Sequence, residues 1–390
     1  MAVSRKSGIL EIDESGGQVT LQSGKTLSAD QITEGTNKFV TATQKTNLDN
    51  LKEKGRKNLW TDGALKYFLE RITVTDPATN VYGSTLIQIK HLKASGTRGT
   101  MTVAQQALTA GVSLADYALR VSASGADSSL DADSYYLLRH YIYHGTRNHS
   151  NGEKITIPIK VASSVANQKI GIVVRQNYGT TGSPTAEEII TGEIFTLASG
   201  ENEISKTFTT NTLTGKTFGT DNNDCLIVDL VMQCGSTVAT SLFGGSAFGF
   251  TEATTLDFYE LAAYPGEVAY DFVASDDLLS ILPFYEKGMN KETLPSGAPA
   301  EISATIWRTE STYSYHGFIT FYQTEKIKAV SPTLYSTTGA TGKIRNLTDR
   351  ADVNGSVNFY GTKTFNGYVN NVSIGAGKLL AYHWVADARY

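Results

Sequence analysis

The chain has 390 residues, more than one hydrophobic core usually organises, so two or three domains are expected. Charged residues make up only 18%, against roughly 25% in ordinary soluble domains. A net charge of -4 argues against a nucleic-acid binder, which needs a basic face to displace phosphate counterions.

Tyr is plentiful beside Trp (20 against 3), and with Thr, Val and Ile it suits half-buried pleated surfaces. The fold class expected is mainly β. The short basic clusters, Arg5-Lys6 and Lys52 through Lys57, read as solvated surface. Two cysteines, Cys225 and Cys234, cannot make a disulfide framework, and a buried free thiol is the expected state of Cys225. The first residues lack an apolar signal-peptide core, and no run of about 18 apolar residues suits a bilayer. Synthesis in a cytoplasm, without membrane insertion, is expected.

In chain order, residues 1–30 are polar and punctuated by Gly and Ser, with one short alternating run at Val19 and Leu21. Such a segment orders against a partner rather than alone. Residues 31–57 end on a helical pattern, with Leu48 and Leu51 three apart and Phe39 and Val40 further back. That stripe is too narrow for a lone helix. It reads as a stalk whose copies pack side by side, or as an exposed linker.

From Asn58 the pattern becomes β. Alternating runs recur at Ile87 and Ile89, at Tyr117 to Val121, at Ile155 to Val161, at Ile170 to Val174 and at Leu226 to Met232. Clusters of Gly, Asn and Ser separate them, as at Asn177 to Pro184 and Gly219 to Asp224. Period-two runs bounded by turn residues predict a two-sheet sandwich. Tyr135 to Tyr143 fits either strand or helix, and its aromatic content favours strand. Asp277 to Met289 reads as a short helix or irregular segment, and further strands are expected to the end. No repeat of 20–50 residues is evident, which counts against a β-helical depolymerase.

Several of these segments resemble a known family. Asn58-Leu59-Trp60-Thr61-Asp62-Gly63-Ala64-Leu65 is similar to the opening of a jelly roll, like that of carbohydrate-binding modules, found in tail and fibre proteins of tailed phages. Tyr117 to Val121, Leu137 to Tyr143, Gly152 to Ile157, Lys169 to Gly179, Gly182 to Pro184 and Gly219 to Leu230 follow in that family's order. Phe284-Tyr285-Glu286-Lys287-Gly288 resembles the junction after the jelly roll. Lys328 to Leu334 and Tyr382 to Ala388 resemble later strands. The resemblance spans 58–390. Trp60-Thr61-Asp62 and Phe284 depart from the family pattern without threatening the fold.

The resemblance implies a virion-attachment segment at 1–30, a stalk or linker at 31–57, a jelly-roll β-sandwich at 58–273 and a smaller C-terminal β domain at 274–390. It also implies a homotrimeric fibre on the phage particle, docked on other virion proteins through residues 1–57 and facing the host surface. The function expected is non-enzymatic attachment, with host glycan as a candidate ligand. Alternatives are a head decoration fibre or tail adaptor, a polysaccharide depolymerase, and a cellular adhesin.

Candidate site residues follow from their chemistry. Tyr178, Trp307, Tyr313, Tyr315 and His316 are aromatics in loop-like settings that could stack on sugar rings. Core or trimer-interface packing is the plainer reading for each. Asp221 and Asp224, in Asp221-Asn222-Asn223-Asp224, could hold a structural calcium ion, although Asn and Asp also favour tight turns. His140, His144 and His149 would suit a metal only on a helix. Glu187, Glu188 and Asp229 are carboxylates for glycoside hydrolysis only if the fold pairs them, and solvated charge is the plainer reading.

Overall fold

The structure, a computed structural model, describes residues 5–7, 10–13, 18–21, 58–65, 73–75, 81–82, 86–92, 100–109, 111, 113–127, 130–267, 269, 272, 285–287, 304–309, 315–323, 326, 328–370, 374 and 376–389. The chain divides into two units, residues 1–55 and 56–390. In the first, Arg5–Ser7, Leu10–Asp13 and Gln18–Leu21 form an antiparallel meander. The short alternating run at Val19 and Leu21 lies in the third of these strands. The stalk expected at 31–57 lies outside the described residues.

The second unit begins with a jelly-roll sandwich. One antiparallel sheet orders its strands Gly200–Thr209, Lys154–Ser163, Thr254–Tyr259, Tyr117–Ala123, Met101–Ala107 and Thr73–Thr75, with the short Tyr264–Pro265 also paired to Lys154–Ser163. The other orders Glu188–Thr196, Lys169–Asn177, Cys225–Cys234, Tyr135–Tyr143, Gln88–Leu92 and Val81–Tyr82.

Alternation explains the packing. Ile155, Ile157, Ile159 and Val161 all point into the core, where the other sheet supplies Ile170, Ile172, Val174, Leu226, Val228, Leu230 and Met232. Each such side chain contributes about 1.5–3 kcal/mol by leaving water, and Ile157→Ala would forfeit roughly 2–5 kcal/mol. Cys225–Cys234 is buried at every position, because its outer face is covered as well. The helix Ser236–Phe243 supplies part of that cover, seating Ala239 and Leu242 against Leu137, Val173 and Val231. It ends at Gly244, whose φ of 63° lets its N–H reach the Thr240 carbonyl and the Gly245 N–H reach that of Ala239. Two strand glycines make room for the helix. A Cβ on Gly171 would lie 2.2 Å from the Phe243 ring, and one on Gly192 would lie 2.7 Å from it.

The opening segment closes one end of the sandwich. Asn58 donates to the Leu261 carbonyl at 3.0 Å and accepts from the Trp60 and Ala263 N–H groups at 2.9 and 3.0 Å. Leu59 donates to the Ala263 carbonyl and Leu261 to that of Gly63. Gly63 admits no side chain, since a Cβ would stand 2.0 Å from the Leu261 oxygen.

A second antiparallel sheet system follows, centred on Leu379–Asp387. That strand pairs with Tyr285–Lys287, Thr305–Arg308, Thr333–Tyr335 and Lys343–Asn346. The sheet continues through Ala351–Tyr360, Thr364–Asn370 and Tyr315–Phe321. Its separate core holds Leu334, Ile344, Phe365, Val369, Leu380, Tyr382 and Trp384. Asp277 to Met289 was expected to be helical or irregular; its described part is the strand Tyr285–Lys287. The Val385–Asp387 backbone offers it a ladder, and that tertiary pairing overrides the local pattern.

Candidate functional site

The outer face of the six-stranded sheet carries a groove of about 440 Å³. Its floor is set by strand register. Gln88, Arg139 and Asp229 lie in one cross-strand row, and Lys90, Leu137 and Val231 lie in the next. Arg175 comes from the neighbouring strand Lys169–Asn177. Helix Ser236–Phe243 offers Thr237, Val238, Ser241 and Leu242 as one wall, and Glu187 and Ile189 contribute from the start of the edge strand Glu188–Thr196.

Charge in this groove is fixed by hydrogen bonds. Asp229 is fully buried. Arg139 grips it with two bonds, Nε to Oδ1 at 2.6 Å and Nη2 to Oδ2 at 2.7 Å. Arg175 donates Nε to the same Oδ2 at 2.7 Å and Nη1 to Glu187 at 3.0 Å. Burial opposes charge on Asp229, and the two guanidiniums outweigh it, holding the carboxyl below its usual range. Burial pushes the Tyr141 phenol up to about 12, and its hydroxyl donates to Gln88 at 2.8 Å. The floor is thus a rigid, pre-paired polar surface bordered by apolar walls.

This geometry corrects the reading of Asp229 as solvated charge. It also separates the three carboxylates. Asp229 and Glu187 are bridged by Arg175, whereas Glu188 accepts from Tyr178 at 2.6 Å and Asn211 at 3.2 Å and is ion-paired with Lys216. Glu188 is likewise held below its usual range, by Lys216, Tyr178 and Asn211 against the opposing effect of burial. Neither Asp229 nor Glu188 is tuned upward as a proton donor for glycoside cleavage would be.

Other candidates are placed as follows. Tyr178 is only 1% exposed, with its ring edge-on to Phe218, so it is corrected to a packing residue whose faces do not meet solvent. Trp307 lies on Thr305–Arg308, and Tyr315 and His316 begin Tyr315–Phe321, all in the C-terminal sheet. Tyr313 lies outside the described residues.

Asp221 and Asp224 do not converge on a shared cation position. Asp221 accepts from the Thr180 and Thr181 N–H groups at 3.1 and 3.2 Å, tying two loops together. Asp224, buried, accepts from His144 Nδ1 at 3.0 Å and from the Arg147 backbone and guanidinium at 3.1 Å each. A carboxylate already facing a guanidinium is a poor calcium ligand, so Asp224 as placed serves to lock a turn. The histidines divide too: His144 serves Asp224, whereas His140 stacks flat on Trp60, centroids 4.5 Å apart. Among the described residues, no group of three or more His, Cys, Asp or Glu could hold a metal ion.

Sequence reading missed Lys90, Arg139 and Arg175 as a constellation. The available signal was charge inside apolar strands: Arg139 interrupts Leu137 to Tyr143, and Asp229 interrupts Leu226 to Met232.

In sequence comparisons, no family model and no curated protein matches the chain. Among solved structures, it is similar to the N-terminal cellulose-binding domain of Cellulomonas fimi β-1,4-glucanase C. That match has 14% identity and a TM-score of 0.25, covering 39% of this chain and 80% of the other. It is similar to a family 11 carbohydrate-binding module from Clostridium thermocellum in complex with a β-1,3-1,4-mixed-linked tetrasaccharide, at 10% identity and TM-score 0.27, covering 50% and 98%. It also resembles the enzymatically active domain of bacteriophage CBA120 tailspike protein 4, at 8% identity and TM-score 0.26, covering 46% and 19%. At these TM-scores the likeness carries no argument about function.

Proposed function

We propose that the chain is a non-enzymatic attachment protein, a virion fibre of a tailed phage, that binds host-surface glycan in the groove on its sandwich. Residues 1–57 dock on other virion proteins, and three copies form the fibre, as the motif resemblance from Asn58 to Ala388 implies. The observation that carries the binding role is the groove itself. Its floor of Arg139, Asp229 and Arg175 is locked before any ligand arrives, so little ordering opposes binding. Polar groups on an apolar-walled hollow are what an amphipathic sugar ring requires.

The test is binding of the full chain to an oligosaccharide array, beside Ser241→Trp, which places an indole over the groove from an exposed helix position. Saturable binding that the variant loses supports the reading. Binding unchanged by Ser241→Trp moves the site elsewhere, and no binding to any saccharide removes the glycan role. A decoration or adaptor role is the second reading. It is favoured by the exposed Ile319, Phe321 and Phe359, which share the outer face of the C-terminal sheet and suit a protein partner.

A further inference from the structure

The groove has an unequal charge balance. Three cations, Lys90, Arg139 and Arg175, face two carboxylates, Asp229 and Glu187. Both oxygens of Asp229 are taken by the guanidiniums, and Glu187 accepts from Arg175 and, at 3.4 Å, from Asn177. Lys90 is the remainder. It sits half-buried on Gln88–Leu92 beside Leu137, and its ammonium makes no hydrogen bond or ion pair among the described residues.

An ammonium so placed is at a cost. Burial lowers its pKa first, and the neighbouring Arg139 lowers it further, against the partial relief of Asp229 and Glu187. An anion entering the groove would remove that cost and gain a charge-assisted hydrogen bond. The hollow is too large for a bare ion alone, at about 440 Å³ against the roughly 30 Å³ share of one water. Its walls are Tyr135, Val238, Leu242 and Ile189, with hydroxyls of Thr237 and Ser241 at the rim. A ligand matching all three features carries one negative group, an apolar face and several hydroxyls.

Resting on the glycan-binding reading above, we propose that the groove selects acidic saccharides, with Lys90 receiving the sugar carboxylate. Arg139 and Arg175 act beneath it as positioning residues, already committed to Asp229. Ser241 and Thr237 meet hydroxyls at the rim.

The experiment uses the full chain and an array of carboxylate-bearing oligosaccharides (oligogalacturonate, sialyllactose, hyaluronan fragments), each beside its carboxyl-reduced, uncharged form and neutral oligosaccharides. Wild type is expected to bind at least one acidic probe about tenfold tighter than its reduced form, the range of one partly exposed, charge-assisted pair. Lys90→Gln is expected to abolish that preference and Lys90→Arg to restore it, with neither variant unfolding more readily than the parent. Equal affinity for acidic and reduced forms, or a preference that survives Lys90→Gln, overturns the acidic selectivity while leaving glycan binding standing. Competition by acetate as effective as by the saccharide overturns it too, by showing a simple anion site. Silence across acidic and neutral probes overturns both readings together.

Discussion

Acid should loosen the sandwich through one side chain, His140. The imidazole is 1% exposed and stacks on Trp60 with planes 5° apart. Its Nε2 accepts from the Thr61 N–H at 3.3 Å, which assigns the ring proton to Nδ1, and Nδ1 has no partner among the described residues. Burial drops its pKa from 6.5 to about 3. A histidine with a native pKa below its unfolded value gives full stability above the unfolded pKa. That stability is lost as pH falls through the window between the two, because only the unfolded chain takes the proton. The window here is 6.5 to about 3. At 1.36 kcal/mol per pKa unit, moving from pH 7 to pH 5 removes about 2 kcal/mol. Asp229, Glu188 and Glu260 are also held below the ordinary carboxylate range, and because their unfolded forms take up protons chiefly below pH 5 they add little above it.

The assay is urea unfolding followed by Trp60 emission, in a background with Trp307 and Trp384 replaced by Phe. His140→Gln keeps an acceptor for Thr61 but cannot titrate. Between pH 7 and pH 5 the parent should lose about 2 kcal/mol and the variant only a small fraction of it. Equal losses in the two proteins would refute the reasoning, whatever their absolute stabilities.

Two further outcomes test the packing. Asp229→Ala leaves the Arg139 charge buried without its partner and should cost about 3–5 kcal/mol, read by thermal unfolding; a loss under about 1 kcal/mol would show that the guanidinium finds water instead. Gly63→Ala forces a Cβ to within 2.0 Å of the Leu261 carbonyl, and a cost of roughly 2–4 kcal/mol in urea is expected; a neutral result would mean that the opening segment shifts freely.

The β elements were legible because their alternation is regular. Ile155 to Val161 and Ile170 to Val174 announce one inward face each, and the structure buries those faces. Tyr135 to Tyr143 also proved to be a strand, its aromatics split between core and outer face. The groove was illegible for a reason of register. Lys90, Arg139, Asp229 and Arg175 come from four strands, and only the pairing of Gln88 with Arg139 and of Arg139 with Asp229 makes neighbours of them. Tyr178 misled because it follows a strand amid turn residues, while a hydroxyl contact with Glu188 draws its ring inward.

The two ends of the sandwich meet. Asn58 and Leu59 bond to Leu261 and Ala263, so the chain enters and leaves the jelly roll at one spot. Tension applied along the polypeptide would load this clasp and the short pairing of Tyr264–Pro265 with Lys154–Ser163 first, and the other strands would hang beside the load line like a pendant. Drag on the molecule would then strain the clasp before the groove floor deformed, and a ligand held between helix and sheet would see an undistorted surface until the clasp opened.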